Sequence, residues 1–424
     1  MNAAPTRVLF VSSDAALQDL EFILPVIYEY ARAGSQVELL ILHAPRMQHQ
    51  QFFVQLAERI ADRVLYGWRA FDPMPEFLLN RLYDDQFLTA PRNLLGRVYE
   101  NLAHPLALRS GLSGWRRRGL QAALKRWMQG AHAVFQSHKP EPKTPYNPVM
   151  LIDAAAREAG APLVGYPVAV SAFHGAIAER IADYDLTVLI APEQAEAFAA
   201  QRGLGVLAGG APKFEAAWRA RVNAEWDAFV GEDKPHIPPG KRVILIAMKN
   251  DTSFLFNHMD FQQVNREMVE SLRGPDVFLV LKPHPRQSME QVRAVMAGIP
   301  AEEYLIDFAP LTYWCARADE VVTLFSGAAV DGLAEGRPPT LYWPMCDAYR
   351  DAMADGRIPG FYTSADSDGR IQCQFDAYAR VVTEAPLMLE PVDPAPYVAA
   401  FTHTFNPEGS AARIRLAVEA LPRP

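Results

Sequence analysis

The chain has 424 residues, of which 50% are hydrophobic and 21% charged, and its formal net charge is -8. This length predicts two domains of roughly 200 residues each, both large enough to hold a hydrophobic core. The composition is typical of an ordinary soluble globular protein, and the acidic balance excludes a general nucleic-acid binder because the overall field would repel polyanions.

Membrane, disulfide and metal signals are absent from the sequence. No apolar run approaches the roughly 18 residues that span a bilayer, and the N-terminal residues lack a basic region followed by a long apolar one, so we expect a cytoplasmic protein. The cysteines Cys315, Cys346 and Cys373 have no CxxC spacing and are expected to be small buried apolar residues. The histidines have no HxH or HxxxH spacing, so no metal site is predicted.

The first part of the chain predicts an α/β domain. Residues 7–11 form an apolar strand, residues 18–33 a helix that ends at a glycine, and residues 37–42 a second strand, which together are a βαβ unit. After a long, mainly helical middle, residues 147–203 repeat this alternation. We therefore predict an N-terminal Rossmann-like domain over residues 1–208, with a mostly parallel sheet and a helical insertion.

The second part predicts another domain of the same kind. Residues 209–240 interrupt the pattern with glycine, proline and charge around one helical piece and are the predicted linker. A new series of strands starting at 242–248 predicts a C-terminal domain over residues 241–395, followed by a closing helix in residues 396–424. The expected fold class is α/β, with two tandem Rossmann-like, doubly wound domains facing a central cleft.

Ligands bind open α/β sheets at the carboxyl ends of the strands, where helix N-termini and backbone N–H groups favour anions. Three strand ends of the predicted second sheet carry unusual residues. The first has Lys249 and Asn250, which are predicted to contact a donor molecule. A solvated loop explains them equally well.

The second strand end is the sequence KPHPR after the apolar residues 277–281. Its predicted donor-binding residues are Lys282, His284, Pro285 and Arg286. Prolines on both sides of His284 restrict the backbone, so the imidazole would be held in a nearly fixed direction. A fixed donor between two cations suits a phosphate or a leaving-group oxygen; an ordinary rigid turn with exposed charges is the alternative.

The third strand end lies between strand 320–325 and a predicted helix over residues 328–335, which Gly336 ends. Its predicted donor-binding residues are Ser326, Gly327, Ala328 and Asp331. Ser326 would cap the helix, the bare backbone at Gly327 would let a phosphate approach, and Asp331 would bond ribose hydroxyls. Any βαβ crossover has a turn here, but one nucleotide could contact all three strand ends.

These residues carry a resemblance to known transferases. VLKPHPR, followed about forty residues later by FSGAAVDGLAEGRPPTLYW, resembles the His-Pro and Ser-Ser/Glu motifs of GT-B-fold enzymes that build bacterial surface polymers. These are the capsule Kdo transferases, the polysialyltransferases and the CDP-glycerol glycerophosphotransferases. The resemblance covers residues 240–345 and assigns His284 to the donor phosphate and Ser326 to the first serine. Gly327 replaces the second serine, and Asp331 stands where many members have glutamate.

The resemblance implies a glycosyltransferase with no cofactor besides its nucleotide-sugar donor. Metal-independent transfer fits the sequence, because cations and a helix N-terminus could neutralise the departing phosphate. The implied donor is CMP-Kdo or another CMP-activated acidic sugar, and the implied acceptor is a glycan or glycolipid in capsule, O-antigen or lipopolysaccharide synthesis. Three alternatives stay open: transfer from CDP-glycerol, an enzyme similar to the UDP-N-acetylglucosamine 2-epimerases, which also have two such domains, and a non-catalytic scaffold.

An inverting transfer needs a base in the first domain to remove the proton of the acceptor hydroxyl. The segment after the first strand supplies Asp14, Asp19 and Glu21, and Asp14, which lies in the loop itself, is the preferred candidate. The competing explanation is that Asp14 caps the helix while the other two complement its dipole. A retaining mechanism stays open.

Residues 109–127 form a basic segment in an otherwise acidic chain. Its cations, Arg109, Arg116, Arg117, Arg118, Lys125 and Arg126, lie beside Trp115 and Trp127. On a helix they would form a basic stripe with aromatic edges, suited to peripheral contact with an anionic membrane surface or to a lipid-diphosphate acceptor. A solvated helix that covers the domain is the alternative.

Overall fold

The computed structural model describes residues 5–14, 17–45, 47–72, 112–137, 148–167, 183–193, 195–196, 199, 205–249, 261–284, 287–324, 326–342, 362–365, 371–373, 378–382 and 386–422. The elements below belong to this part of the chain.

A seven-stranded parallel sheet forms the first domain. Its strands are β1 (Arg7–Ser12), β2 (Gln36–Ile41), β3 (Arg63–Tyr66), β4 (Ala133–Ser137), β5 (Leu163–Tyr166), β6 (Leu186–Leu189) and β7 (Val206–Ala208), in the order β3-β2-β1-β4-β5-β6-β7. The helices described with it are α1 (Gln18–Arg32), α2 (Gln48–Ile60), α3 (Leu112–Met128) and α4 (Pro148–Ala159). The predicted βαβ unit at the start of the chain is confirmed.

A six-stranded parallel sheet forms the second domain. Its strands are β8 (Arg242–Ala247), β9 (Val277–Lys282), β10 (Tyr304–Ile306), β11 (Glu320–Thr323), β12 (Thr340–Tyr342) and β15 (Arg380–Val382), in the order β10-β9-β8-β11-β12-β15. Strands β13 (Tyr362–Ala365) and β14 (Ile371–Cys373) form a separate antiparallel pair. The helices from the connection onward are α5 (Ala216–Val230), α6 (Phe261–Leu272), α7 (Met289–Met296), α8 (Leu311–Cys315), α9 (Ala328–Ala334), α10 (Ala395–Phe405) and α11 (Ser410–Glu419).

The first sheet has a core on each face. Residues that alternate along β1 point to opposite sides: Val8 and Phe10 belong to one buried cluster, and Leu9 and Val11 to the other. Both faces of a parallel sheet must be covered by helices, which is why its strands are nearly continuous apolar runs. The predicted doubly wound architecture is therefore confirmed.

The predicted linker contains a packed helix. In α5 the residues Trp218, Val222 and Trp226 recur every four positions and are buried. The Trp226 ring lies 5.2 Å from the Phe52 ring of the first domain and 6.3 Å from the Tyr313 ring of the second. The connection thus fills the space between the domains.

The C-terminal segment returns to the first domain. It forms two helices instead of the single closing helix expected for residues 396–424, because Asn406 and Gly409 adopt left-handed φ angles of 33° and 68° between them. In α11, the Arg415 Nε lies 3.3 Å from a Glu29 oxygen of α1. This contact fixes α11 against the first domain.

The basic segment forms the predicted helix, but Trp127 does not lie on an exposed aromatic edge. Trp127 is buried and donates from Nε1 to Glu38 Oε2 at 2.8 Å, and the same carboxylate accepts from Arg7 Nε at 2.7 Å. This tryptophan therefore belongs to the core. Arg117, Arg118, Lys125 and Arg126 are exposed or partly exposed, whereas Arg109 and the side chains of Trp115 and Arg116 lie outside the description.

Two further findings concern the cysteines and the question of membrane-crossing helices. Cys315 is buried, as expected, whereas the side chains of Cys346 and Cys373 lie outside the described residues. Within the described ranges, no helix combines the length and the apolar character that crossing a bilayer requires.

A substitution at Gly210 tests how closely the C-terminal segment packs against this residue. Its φ is +80°, and a Cβ there would lie 2.4 Å from the Asn406 carbonyl oxygen. We expect Gly210→Ala to lower the free energy of unfolding by about 3 kcal/mol, from left-handed strain plus the clash. Gly240→Ala is the control, since its φ is +77° with no atom within 4 Å; it should cost only about 1 kcal/mol. Equal losses in urea unfolding would contradict this contact.

Candidate functional site

The carboxyl ends of the two sheets face each other, and charged side chains meet where they do. The Lys213 ammonium, in the short 3-10 helix Pro212–Phe214 after β7, lies 3.1 Å from Asp331 Oδ1 in α9 and 3.8 Å from Glu21 Oε2 in α1. One lysine from the connection therefore bridges a carboxylate from each domain. We call Glu21, Lys213, Lys282 and Asp331 the interdomain cluster.

Lys213 is held in largely apolar surroundings. Its side chain is 13% exposed, and its ammonium lies 5.0 Å from the centre of the Phe22 ring and 4.7 Å from that of Phe214. Burial opposes its charge, but the carboxylates of Asp331 and Glu21 outweigh this and raise the pKa of Lys213. It stays protonated.

The two carboxyl groups share this single ammonium. Burial raises the pKa of Asp331 and that of Glu21, and in both cases it outweighs the opposing effect of Lys213. Each group is therefore easier to protonate than an exposed carboxyl group.

Lys282 ends β9 and brings a second ammonium to the cluster. The residue is partly exposed, but its Nζ is buried and has no hydrogen-bond acceptor among the described residues. Burial lowers the pKa of Lys282 to about 8, against the opposing pull of Glu21, Asp307 and Asp331. At pH 7 it is mainly a cation whose buried Nζ meets no acceptor in the described part of the chain, which is costly unless an anion meets it.

His49, in the first turn of α2, belongs to the first domain and contacts the second domain near the cluster. It is buried, forms a hydrogen bond with the Phe308 backbone of the second domain, and has no partner for Nδ1 in the described structure. Burial and, next, the charge of Lys282 hold the pKa of His49 well below its usual range. The imidazole is therefore neutral at pH 7.

The three predicted bases have different surroundings. The Asp19 carboxylate accepts from Ser12 Oγ at 2.7 Å and from the backbone N–H groups of Ser13 and Asp14 at 2.7 and 3.0 Å. Asp14 Oδ2 accepts from the N–H of Gln18, the first residue of α1, at 3.1 Å. Asp19 thus fixes the loop, Asp14 caps the helix, and Glu21 is the one beside Lys213.

The predicted turn after β9 is present. His284 N–H donates to Gln287 Oε1 at 3.2 Å, and the His284 carbonyl accepts from Gln287 N–H at 2.8 Å. Asn250, Pro285 and Arg286 lie outside the described residues, and Lys249 is partly exposed at the end of β8.

The predicted turn into α9 is present too. Ser326 Oγ accepts from the N–H of Ala328 at 3.3 Å, Gly327 precedes the helix, and Gly336 follows it with a φ of +73°. Gly327, not the predicted Ser326, is the N-cap residue of α9, and Ser326 contacts the first helical N–H from the position before it. The sequence predicted that Asp331 would bond ribose hydroxyls. In the structure its carboxylate is paired with the Lys213 ammonium.

The cluster borders a small cavity of about 20 Å³, which is room for about one water molecule. Its lining residues include Glu21, Lys213, Asp331, Thr312, Phe53 and Trp218. In the described part of the chain, no group of three or more histidine, cysteine, aspartate or glutamate side chains is arranged to hold a metal ion.

The sequence did not identify Lys213 and His49 as site residues. Lys213 falls in the segment predicted as a linker, and its partner Asp331 lies 118 residues further along the chain. The only local signal was its position after a strand, beside two glycines and a proline. His49 showed no ligand-type spacing and lies in a helix whose pattern is explained by packing.

Comparison with known proteins defines the fold. No family model and no curated protein matches the chain. Among solved structures, UDP-GlcNAc 2-epimerase from Neisseria meningitidis bound to UDP-GlcNAc is 12% identical, with 98% of this chain and 99% of that chain covered and a TM-score of 0.52. MnaA of S. aureus with UDP is 9% identical, with 97% and 95% covered and a TM-score of 0.50.

The glycosyltransferases among the similar structures are more distant. The heptosyltransferase WaaC of E. coli with ADP is 16% identical, with 88% of this chain and 97% of that chain covered and a TM-score of 0.41. At these identities the likeness concerns the fold alone. The chain is an α/β protein with two Rossmann-like domains in the GT-B arrangement, as the sequence predicted.

A pair of substitutions tests the separate roles of the acidic residues. Asp19→Ala leaves three buried donors without their acceptor and should lower the free energy of unfolding by about 3 kcal/mol. Asp14→Ala removes one capping contact and should cost about 1 kcal/mol. Urea unfolding of both variants checks the difference. A harmless Asp19→Ala would contradict the anchoring role.

Proposed function

We propose that the protein is a glycosyltransferase whose nucleotide-sugar donor binds between the two domains, at the interdomain cluster. The observation that carries the proposal is the buried Lys282 ammonium, which has no acceptor among the described residues. It lies where the carboxyl ends of both sheets meet, and a phosphate is the anion that such an edge accommodates.

A donor that binds directly against the described cluster would require the domains to separate there. The cavity beside the cluster holds about one water molecule, far less than a nucleotide requires. Closure around a substrate excludes water and strengthens the interactions of charges with the departing phosphate. Lys282 would stabilise that phosphate, with His284, Ser326, Gly327 and Ala328 as further donor contacts that the motif resemblance supports.

Glu21 is the base that we favour for an inverting transfer. Its carboxylate borders the cavity, whereas Asp19 is engaged in the loop and Asp14 in capping α1. Burial raises the pKa of Glu21, which brings a carboxylate closer to the range that suits a general base. It would take the proton of the acceptor hydroxyl as the sugar leaves the phosphate.

The finer assignments rest on the motif resemblance. It favours CMP-Kdo or another CMP-activated acidic sugar as donor, with CDP-glycerol as the alternative, and a glycan or glycolipid of capsule or lipopolysaccharide synthesis as acceptor. The exposed cations of α3 suit peripheral contact with an anionic membrane surface, consistent with a transfer reaction at the cytoplasmic face of the membrane.

A second candidate is an epimerase that acts on a UDP-sugar. Epimerisation needs an acid and a base at one carbon, and the partly exposed Glu21 and the buried Asp331 are two carboxyl groups, one from each domain, with raised pKa values. Incubation with UDP-GlcNAc and no acceptor separates the candidates by NMR, because only an epimerase would form a second hexosamine nucleotide.

Nucleotide binding tests the proposed site. We expect CMP, CDP, UMP, UDP or GDP to raise the melting temperature, since a ligand selective for the native state stabilises it. Lys282→Met should weaken binding at least about tenfold through loss of a charge-assisted contact. Lys241→Met should leave nucleotide binding unchanged, because Lys241 precedes β8 and lies at the amino end of that strand. Equal effects of both variants would contradict the site, and absence of any nucleotide effect would contradict the function.

The pH dependence of binding tests the role of Lys282. Its pKa in the folded protein is lowered to about 8 from an ordinary 10.5, so it loses its proton as the pH rises through 8. Since a phosphate binds the charged form, nucleotide affinity should fall between pH 7 and pH 9. Calorimetry of Lys282→Met should show no such fall. The same fall in both proteins would exclude Lys282 as its cause.

A further inference from the structure

A second cavity lies outside the interdomain cluster, where α1, α5 and α11 meet. Its volume is about 240 Å³, against about 20 Å³ beside the cluster. An α-helix rises about 1.5 Å per residue, so Tyr28 and Arg32, which line the cavity, lie roughly 10 and 16 Å along α1 from Glu21. The cavity is therefore separate from the proposed donor site, and its size suits a small molecule. Its other charged or aromatic lining residues are Glu29, Glu215, Trp218 and Arg221.

Two arginines lie against one aromatic ring in this cavity. The Arg221 guanidinium carbon is 4.1 Å from the centre of the Tyr28 ring, and that of Arg32 is 5.7 Å from it. The centre of the Trp218 ring lies 5.9 Å from that of Tyr28. A guanidinium group stacked on an aromatic face keeps its N–H donors in its own plane, where they can still meet an anion. The wall around Tyr28 therefore concentrates positive charge and hydrogen-bond donors.

The protein neutralises these arginines only in part. Arg221 Nη2 lies 3.3 Å from Glu225 Oε1, but the other oxygen of that carboxylate accepts from Arg59 Nη2 at 2.9 Å. Arg221 Nε is buried and has no hydrogen-bond partner in the described structure. Arg32 is exposed and, among the described residues, contacts Tyr28 without forming an ion pair. One carboxylate is therefore shared by two arginines, and the third arginine has none in this part of the chain.

The two carboxylates of the cavity are engaged by α11. Glu29 Oε1 accepts from Arg415 Nε at 3.3 Å. Glu215 Oε1 accepts from Ser410 Oγ at 3.1 Å and from the N–H of Ala411 at 2.7 Å. Both carboxylates thus hold the C-terminal helix, and the arginines are left to meet an anion.

The first turn of α5 also borders the cavity, through Ala217 and Trp218. The N-terminus of a helix carries partial positive charge, and its N–H groups favour an anion. Glu215 precedes this turn, but its side chain forms no capping hydrogen bond with it. The helix end and the two arginines therefore favour the same ligand charge.

We propose that this cavity binds a small molecule through its carboxylate or phosphate group, which Arg32 and Arg221 hold against the first turn of α5. Planar guanidinium groups bind both kinds of oxyanion through paired, charge-assisted hydrogen bonds. The site is additional to the proposed donor site and does not depend on it. Because Trp218 lines this cavity and the one beside the cluster, a bound ligand contacts a side chain that also borders the cluster.

NMR of the tryptophan indole groups tests the site, because Trp218 is part of its wall. Inorganic phosphate and, separately, citrate are titrated at constant ionic strength into Lys282→Met, which lacks the buried cation of the proposed donor site. We expect at least one of the two anions to shift the Trp218 resonance, assigned from Trp218→Phe, in a saturable manner. A response to phosphate alone identifies a phosphate ligand, and a response to citrate alone a carboxylate ligand.

Added substitutions locate the bound anion. Arg221→Met in the Lys282→Met protein should raise the dissociation constant at least about tenfold, through loss of a charge-assisted contact. Arg32→Met should raise it about threefold, because Arg32 is exposed. Arg59→Met is the matched control: Arg59 pairs with the same Glu225 but does not line the cavity, so the constant should stay unchanged.

Two results would overturn the site. They are a Trp218 resonance that neither anion shifts to saturation, and equal dissociation constants in Arg221→Met and Arg59→Met. If Arg221→Met does not fold, the comparison of Arg32→Met with Arg59→Met decides. Absence of nucleotide binding in the wild type would contradict only the proposed function, since the titrated protein already lacks Lys282.

Discussion

The candidate site depends on one set of largely desolvated charges at the junction of the two sheets. Glu21, Lys213, Lys282 and Asp331 come from the first domain, the connection and the second domain. Burying them costs desolvation energy that their mutual attraction only partly offsets, and one ammonium lacks a hydrogen-bonding partner among the described residues. Such an arrangement is a poor means of joining two domains but a good means of receiving an anion.

Apolar packing, not the charges, holds the domains in place. Trp226 of α5 lies between Phe52 and Tyr313, and α11 returns from the second domain to α1. These contacts lie in the connection and at the C-terminal segment, and Trp218 of the same helix α5 lines the cavity beside the cluster. The connection therefore packs against both domains, and the C-terminal segment against the first.

Much of the fold was predictable because it follows from local periodicity. The strands of both sheets are apolar runs. Ser326 precedes α9 and accepts from the N–H of Ala328, and Gly336 follows the helix with a left-handed φ. The site was predictable only in part. Lys282 and the turn at His284 were identified from one stretch, whereas Lys213 pairs with a residue 118 positions away, in a segment without strong periodicity. Trp127 was misassigned because a surface tryptophan and one bonded to a buried glutamate look alike in sequence.

Hydrogen exchange of the backbone amides, with and without saturating UDP or CDP, tests the central claim most directly. If the nucleotide binds between the domains, exchange should slow around residues 210–215, 282–284 and 326–331, from the connection and the second domain, and at the start of α1. Those segments are distant in sequence and share only the interdomain cluster. A nucleotide that binds but protects other surfaces, leaving these segments unchanged, would contradict the account.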